Sequence, residues 1–165
     1  MKLSTLLEKG NTTKGTYAGL RFSDTDNDNI EKIARDLGLP NPIQRDDIHM
    51  TLLYSRKYLP NYKPAGEIDE WAYPKEFHVF DTFDKKRALV LMVDCPYAIK
   101  RHNYLMKEHK ATYDYPEYLT HITLSYDIGD MNLDKIKEKF DTLPKEFHIN
   151  SEYYEELKLE WKPGN

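Results

Sequence analysis

An α+β fold of two similar lobes, with sheets facing each other across a cleft and helices outside, follows from three features of this 165-residue sequence. One octad is written twice with small changes: residues 48–55 read I-H-M-T-L-L-Y-S and residues 120–127 read T-H-I-T-L-S-Y-D. Each octad follows the same order, a strand pattern and then a helix pattern. The spacing agrees too, since Tyr17 to His49 and Leu89 to His121 are both 32 residues. An internal echo of this kind is what a repeated architecture produces.

Residues 1–14 are polar and irregular and read as a loosely held arm. Thr16–Phe22 alternates, with Ala18, Leu20 and Phe22 on one face and Tyr17, Gly19 and Arg21 on the other, as in a strand. Residues 24–29 are rich in helix-capping types. Ile30, Ile33, Ala34 and Leu37 then recur at i, i+3, i+4 and i+7, which predicts an amphipathic helix ending at Gly38. Pro40 and Pro42 mark the loop into the first octad. In each octad the period is two, so His49 and Thr51 share one face, as do His121 and Thr123. Met50, Leu52, Ile122 and Leu124 point the other way, toward a core.

Residues 55–70 contain Pro60, Pro64 and Gly66 and read as a long loop, of the kind that often covers a site. Phe77–Phe83 and Ala88–Cys95 read as an antiparallel pair joined at residues 84–87. Pro96 opens a second helix, since proline is tolerated at the first helical position. That helix carries Tyr97, Arg101, Tyr104, Leu105 and Glu108 on one face. Asn132 is placed to cap a third helix bearing Leu133, Ile136, Phe140 and Leu143. Two strands, Phe147–Ile149 and Tyr153–Trp161, close the chain. A βαβ-type crossover is expected to return each octad to the sheet of the strand before it.

At this length a single domain covering residues 1–165, with two lobes sharing one core, is expected. No apolar run approaches the roughly 20 residues of a membrane span. Residues 1–10 lack the apolar run of a secretory leader, because Glu8 interrupts it. Cys95 is the single cysteine, which excludes an internal disulfide and suits a reducing cytoplasm. The net charge of −4 disfavours a grip on long nucleic acid, where affinity comes from neutralising many phosphates. A small ligand with one or two phosphates needs only a local cluster. The 13 tyrosines provide core filler and also stacking platforms for bases.

With 6 histidines among 165 residues, His-x-Thr recurring at matched places is poorly explained by chance. Two imidazoles suit the cleavage of a phosphodiester, one as base for the nucleophile and one as acid for the leaving oxygen. Threonine hydroxyls can donate to the non-bridging oxygens as charge builds there. Such a site requires no metal and no other cofactor, and no Cys/His cluster with zinc spacing occurs in the sequence. Asp46 and Asp47 read as solvated. His102 and His109 fall on a helix dominated by surface charge, His78 and His148 lie in strands without a hydroxyl two residues on, and all four read as structural or exposed.

Paired His-Φ-Thr-Φ motifs, where Φ is apolar, resemble those of the 2H phosphoesterase superfamily. The resemblance implies its bilobal fold and a catalytic set of His49, Thr51, His121 and Thr123. More narrowly, the chain resembles the phage anti-CBASS nucleases, which destroy the cyclic oligonucleotide messengers of a bacterial antiviral system. That resemblance implies a cyclic oligonucleotide as ligand, a bacterial host cytoplasm as setting, and base contacts from Tyr17, Glu155 and Trp161. Glu155 itself falls on the apolar face of the last strand, with Tyr153, Leu157 and Trp161. A carboxylate beside an indole suits a purine. Another 2H branch, acting on 2′–5′ oligoadenylates or on RNA 2′,3′-cyclic phosphate ends, fits the same motifs; a non-catalytic sponge for a nucleotide messenger is the non-enzyme alternative, and the two intact His-Thr pairs argue against it. The oligomeric state is left open.

Overall fold

In the computed structural model, which describes residues 14–158, the strands are β1 (Lys14–Phe22), β2 (Met50–Ser55), β3 (Gly66–Asp81), β4 (Arg87–Asp94), β5 (His121–Ser125) and β6 (Phe147–Lys158). The helices are α1 (Asp24–Asp36), α2 (Pro96–Glu108) and α3 (Leu133–Lys137), with 3₁₀ turns at Arg45–Asp47 and Phe140–Thr142. The α+β class holds, and its order is the repeated strand–helix–strand of the two halves. Most of the expected arm at residues 1–14 lies outside the described residues; Lys14 begins β1.

The strands run in the order β2-β1-β6-β3-β4-β5, and all neighbours are antiparallel. Each octad strand does return beside its predecessor. The pairing is antiparallel, however, so the βαβ crossover is corrected to a helix-bearing antiparallel connection. β3 belongs to both lobes. Its first half, Gly66–Ala72, pairs with β6, and its second half, from Tyr73 to Asp81, pairs with β4. Pro74 lies at the register shift just past the changeover, where a residue without an N–H fits the ladder. The octad strands β2 and β5 form the two edges, and they touch each other. Both sheets therefore curl about β3 and bring their edges face to face.

The core lies between the sheet and the helices. Leu20, Met50, Leu52, Leu89, Leu91, Ile122, Leu124, Phe77 and Phe147 are all buried there. The helices are exchanged between lobes, since α1 packs toward β5 and α2 toward β2 and β3. Ser23 caps α1 by accepting from the Asp26 N–H at 3.2 Å, and Gly38 follows the helix at φ +63°, a conformation that glycine adopts at little cost. Asn132 caps α3 as expected, but α3 ends at Lys137 and only a 3₁₀ turn carries Phe140. The two expected final strands are one, β6, with its register shift near Ser151.

The loop expected over residues 55–70 is shorter, because β3 begins at Gly66. It is also pinned. Arg56 donates to both carboxylate oxygens of Asp114 at 2.9 and 3.0 Å, and the Leu59 N–H donates to Thr16 Oγ1 at 3.0 Å. Glu152, only 2 % exposed, accepts from Tyr62 at 2.8 Å, Tyr97 at 2.6 Å, the Ala65 N–H at 3.0 Å and Arg101 at 2.9 Å. Burial opposes ionisation of Glu152, but the Arg101 guanidinium and the three other donors outweigh it and hold the carboxyl below its ordinary range. This buried network ties the loop to α2 and β6, which argues against the lid reading. Among the described residues no helix is long and apolar enough to cross a membrane.

Candidate active site

β2 and β5 carry their motifs as the alternation requires. His49, Thr51, His121 and Thr123 are half-buried, while Met50, Leu52, Ile122 and Leu124 are fully enclosed. The imidazoles are fixed in the same way. His49 Nδ1 donates to the carbonyl of Asp47 at 2.5 Å, and His121 Nδ1 donates to the carbonyl of Leu119 at 2.8 Å. A carbonyl only accepts, so each Nδ1 carries the hydrogen and each Nε2 is left for the cleft. The Asp47 carbonyl is held by the 3₁₀ turn, whose Arg45 reaches Asp28 and Glu31 of α1 at 2.7 and 2.6 Å.

A second echo appears in the ladders. The register of β1 on β2 steps from Leu53 to Thr51, and that of β4 on β5 steps from Ser125 to Thr123. Leu52 and Leu124, the fourth residues of the two motifs, are therefore both bulged. Bulges re-aim side chains and are common beside active sites.

Cross-strand partners share a face, so the pairing defines the two walls of the cleft. On one wall Tyr54, Tyr17 and Glu155 form a row across β2, β1 and β6, beside the row Thr51, Gly19 and Tyr153. Tyr17 Oη lies 2.9 Å from Thr51 Oγ1, and its ring centroid is 6.1 Å from that of His49. Burial, the largest influence, pushes the Tyr17 phenol far above its ordinary range, so it keeps its proton. Gly19 is required by close approach: a Cβ there would meet Tyr153 Cζ and Oη at 2.6 Å each. The Arg21 guanidinium sits 4.2 Å from the centre of the Tyr153 ring. On the other wall, Thr123, Val90 and His78 form a row across β5, β4 and β3, and Phe80 meets the His121 ring edge-on at 5.2 Å.

Of the expected base contacts, Tyr17 and Glu155 are opposite each other, and Glu155 is exposed on the Tyr17 face. Trp161 lies outside the described residues. Asp46 and Asp47 are exposed, as expected. His78 sits on the cleft wall, and His102 is deeply buried under β2. The local alternation placed His78 in a strand, but only the partner strands reveal which face is the cleft. Tyr153 and Glu152 were missed for the same reason. Among the described residues no group of three or more His, Cys, Asp or Glu is arranged to hold a metal.

Comparison with known proteins adds to this geometry. Residues 14–164 match the family model described as "Anti-CBASS protein Acb1". The chain belongs to the Acb1 anti-CBASS family. It is 38% identical over 150 residues to the Acb1 of Acinetobacter phage Ac42, covering 91% of this chain and 95% of that one. It is 35% identical over 156 residues to the Acb1 of Enterobacteria phage T4, covering 94% and 97%. The fold resembles that of Escherichia coli LigT in its apo form, with a TM-score of 0.54 at 15% identity over 86% of each chain. The bilobal fold inferred from the two motifs is thus matched in this Acb1-family chain.

Burial also shapes the titration of the site. It is the largest cause lowering both His121 and His102 from their ordinary 6.5, and positive charge on His49 or His78 would add to the effect at His121. The unfolded chain therefore binds protons near pH 6.5 that the folded chain refuses until lower pH. Stability is full above pH 6.5 and is lost as pH falls through the folded values. Glu152, whose ordinary value is 4.5, acts in a lower window. Urea unfolding should show a lower midpoint at pH 5 than at pH 7, with a smaller difference in His121→Asn. A midpoint that rises toward pH 5 would contradict the buried neutral rings.

Proposed function

We propose that this Acb1-family chain is a metal-independent phosphodiesterase that hydrolyses the 3′–5′ bonds of adenine-containing cyclic di- or trinucleotides, acting in the host cytoplasm. The observation that carries the reading is the pair of imidazoles with Nδ1 held alike, on facing edge strands, each with a hydroxyl two residues on. In-line displacement at phosphorus needs one proton removed and one supplied on opposite sides.

His121 takes the base role, because burial favours its neutral form. His49 is left as the acid that protonates the departing oxygen. Thr51 and Thr123 donate to the non-bridging oxygens, where charge accumulates. Tyr17, which keeps its phenolic proton, can donate to Thr51 and free the threonine hydrogen for the phosphate. Tyr17, Glu155 and Trp161 receive the adenine. Both acid and base are side chains, so the chemistry asks for no metal and no other cofactor.

The test is incubation with a cyclic adenosine–guanosine dinucleotide in excess EDTA, followed by denaturation and chromatography. Linear product should accumulate over many turnovers. Intact ligand released in stoichiometric amount would identify a sponge. Loss of activity in EDTA that Mg²⁺ restores would overturn metal independence.

A further inference from the structure

β2 is an edge strand with a bulge, so some of its backbone groups have no ladder partner. Two side chains take up the carbonyls at that place. The Tyr118 hydroxyl donates to Thr51 O at 2.7 Å, and His102 Nδ1 donates to Leu52 O at 2.8 Å. Because a carbonyl only accepts, His102 carries its hydrogen on Nδ1. Its exposure is 4 %, and burial favours the neutral ring. The two rings stack face to face, with centroids 4.0 Å apart and planes 4° apart. Tyr113 meets both edge-on, at 4.9 and 5.8 Å.

The matching bulge in β5 is held differently. Leu124 O accepts from the backbone N–H of Ile43 at 2.9 Å, and Pro42 bridges to Ser125. One motif is thus clamped by backbone and the other by a stacked His–Tyr pair from α2 and the α2–β5 connection. The clamped carbonyls belong to the bulged Leu52 and to Thr51 itself, whose hydroxyl faces the cleft.

We infer that His102 and Tyr118 are positioning residues that set the β2 bulge so that the Thr51 hydroxyl faces Thr123 and His121 at bonding range of one phosphate. The inference rests on the function proposed for this same site. Both residues act on backbone atoms, and neither has to touch substrate. Such support matters because a displacement of about 1 Å in a catalytic group can lower a rate by about 10²-fold.

The experiment is steady-state kinetics on a cyclic adenosine–guanosine dinucleotide for Tyr118→Phe, in the wild-type and Thr51→Ala backgrounds. Tyr118→Phe keeps the ring and the stack and removes only the O–H. It should lower kcat about tenfold with KM within about threefold, and lower it less than about twofold further when Thr51 is already Ala, because coupled residues are non-additive. His102→Asn, which retains a donor near the Nδ1 position, should keep more of kcat than His102→Leu. Equal proportional losses in both backgrounds, or equal losses in the two His102 variants, would mean that the pair only fills space. If the wild-type protein leaves the dinucleotide intact, the proposed function and this inference fall together; cleavage with additive losses overturns the inference alone.

Discussion

His121→Ala should reduce turnover of the natural phosphodiester by about 10²- to 10⁴-fold, and His49→Ala by a similar factor, while both proteins stay folded. Both rings lie half-exposed on the cleft face rather than in the core, so their removal opens no interior cavity. The two variants separate on a substrate with a better leaving group. In adenosine 3′-(p-nitrophenyl phosphate) the leaving phenolate departs without a proton, while the 2′-hydroxyl nucleophile still needs a base. The His49→Ala deficit should then shrink by at least tenfold, following the usual weight of general acid help, and the His121→Ala deficit should persist. The reverse pattern would exchange the roles, and near-normal turnover in either variant would remove the histidine pair as the catalytic core. The pH–rate profile should be bell-shaped, with an acid limb below pH 6.5, because the base must be neutral and burial lowers His121 from 6.5.

A cyclic dinucleotide lacking its 2′-hydroxyls should bind and resist cleavage, with turnover lowered by about 10³-fold or more. The ribose hydroxyl lies beside the phosphorus, and intramolecular attack gains roughly 7–11 kcal/mol when geometry is favourable. On this route His121 takes the 2′ proton, the 2′ oxygen forms its bond to phosphorus, and the bond to the 5′ oxygen breaks as His49 supplies a proton. The first product ends in a 2′,3′-cyclic phosphate, which the same site can open with water by exchanging the two roles. Competition by the deoxy ring against the ribo ring measures binding, and chromatography measures cleavage. Cleavage of the deoxy ring at a rate like that of the ribo ring would make water the nucleophile.

The placement of the two histidine–threonine pairs was legible because it depends on a local rule. A period of two puts His49 with Thr51 and His121 with Thr123, and the intervening apolar residues confirm which face is core. The helix start at Pro96 and the Asn132 cap were legible for the same local reason, whereas residues 24–29, rich in capping types, lie inside α1 behind the Ser23 cap. What was not legible depends on partners far apart in the chain. Antiparallel pairing of β1 with β2, the bulges at Leu52 and Leu124, and the continuity of β3 through both sheets are set by neighbours that no short window contains. Tyr153 joins the cleft because Gly19, 134 positions earlier, leaves room for its ring. Glu152 is one acidic residue among several in its stretch of sequence, and its partners Tyr62, Tyr97 and Arg101 come from a loop and a helix far along the chain. Glu155 was placed on the right face by alternation, and its neighbour Tyr17 became visible only through the strand register.

The 16-residue strand β3 has a consequence for how this chain can be divided. Each lobe holds one histidine–threonine pair, yet each also takes part of its sheet from β3, and α1 and α2 pack across to the opposite lobe. A gene cut between the two octads would leave one fragment with an orphan edge and the other without a covering helix. The repeated halves are therefore not modules that fold apart and reassemble. The two halves share β3 and exchange helices, so they stand as one structural unit.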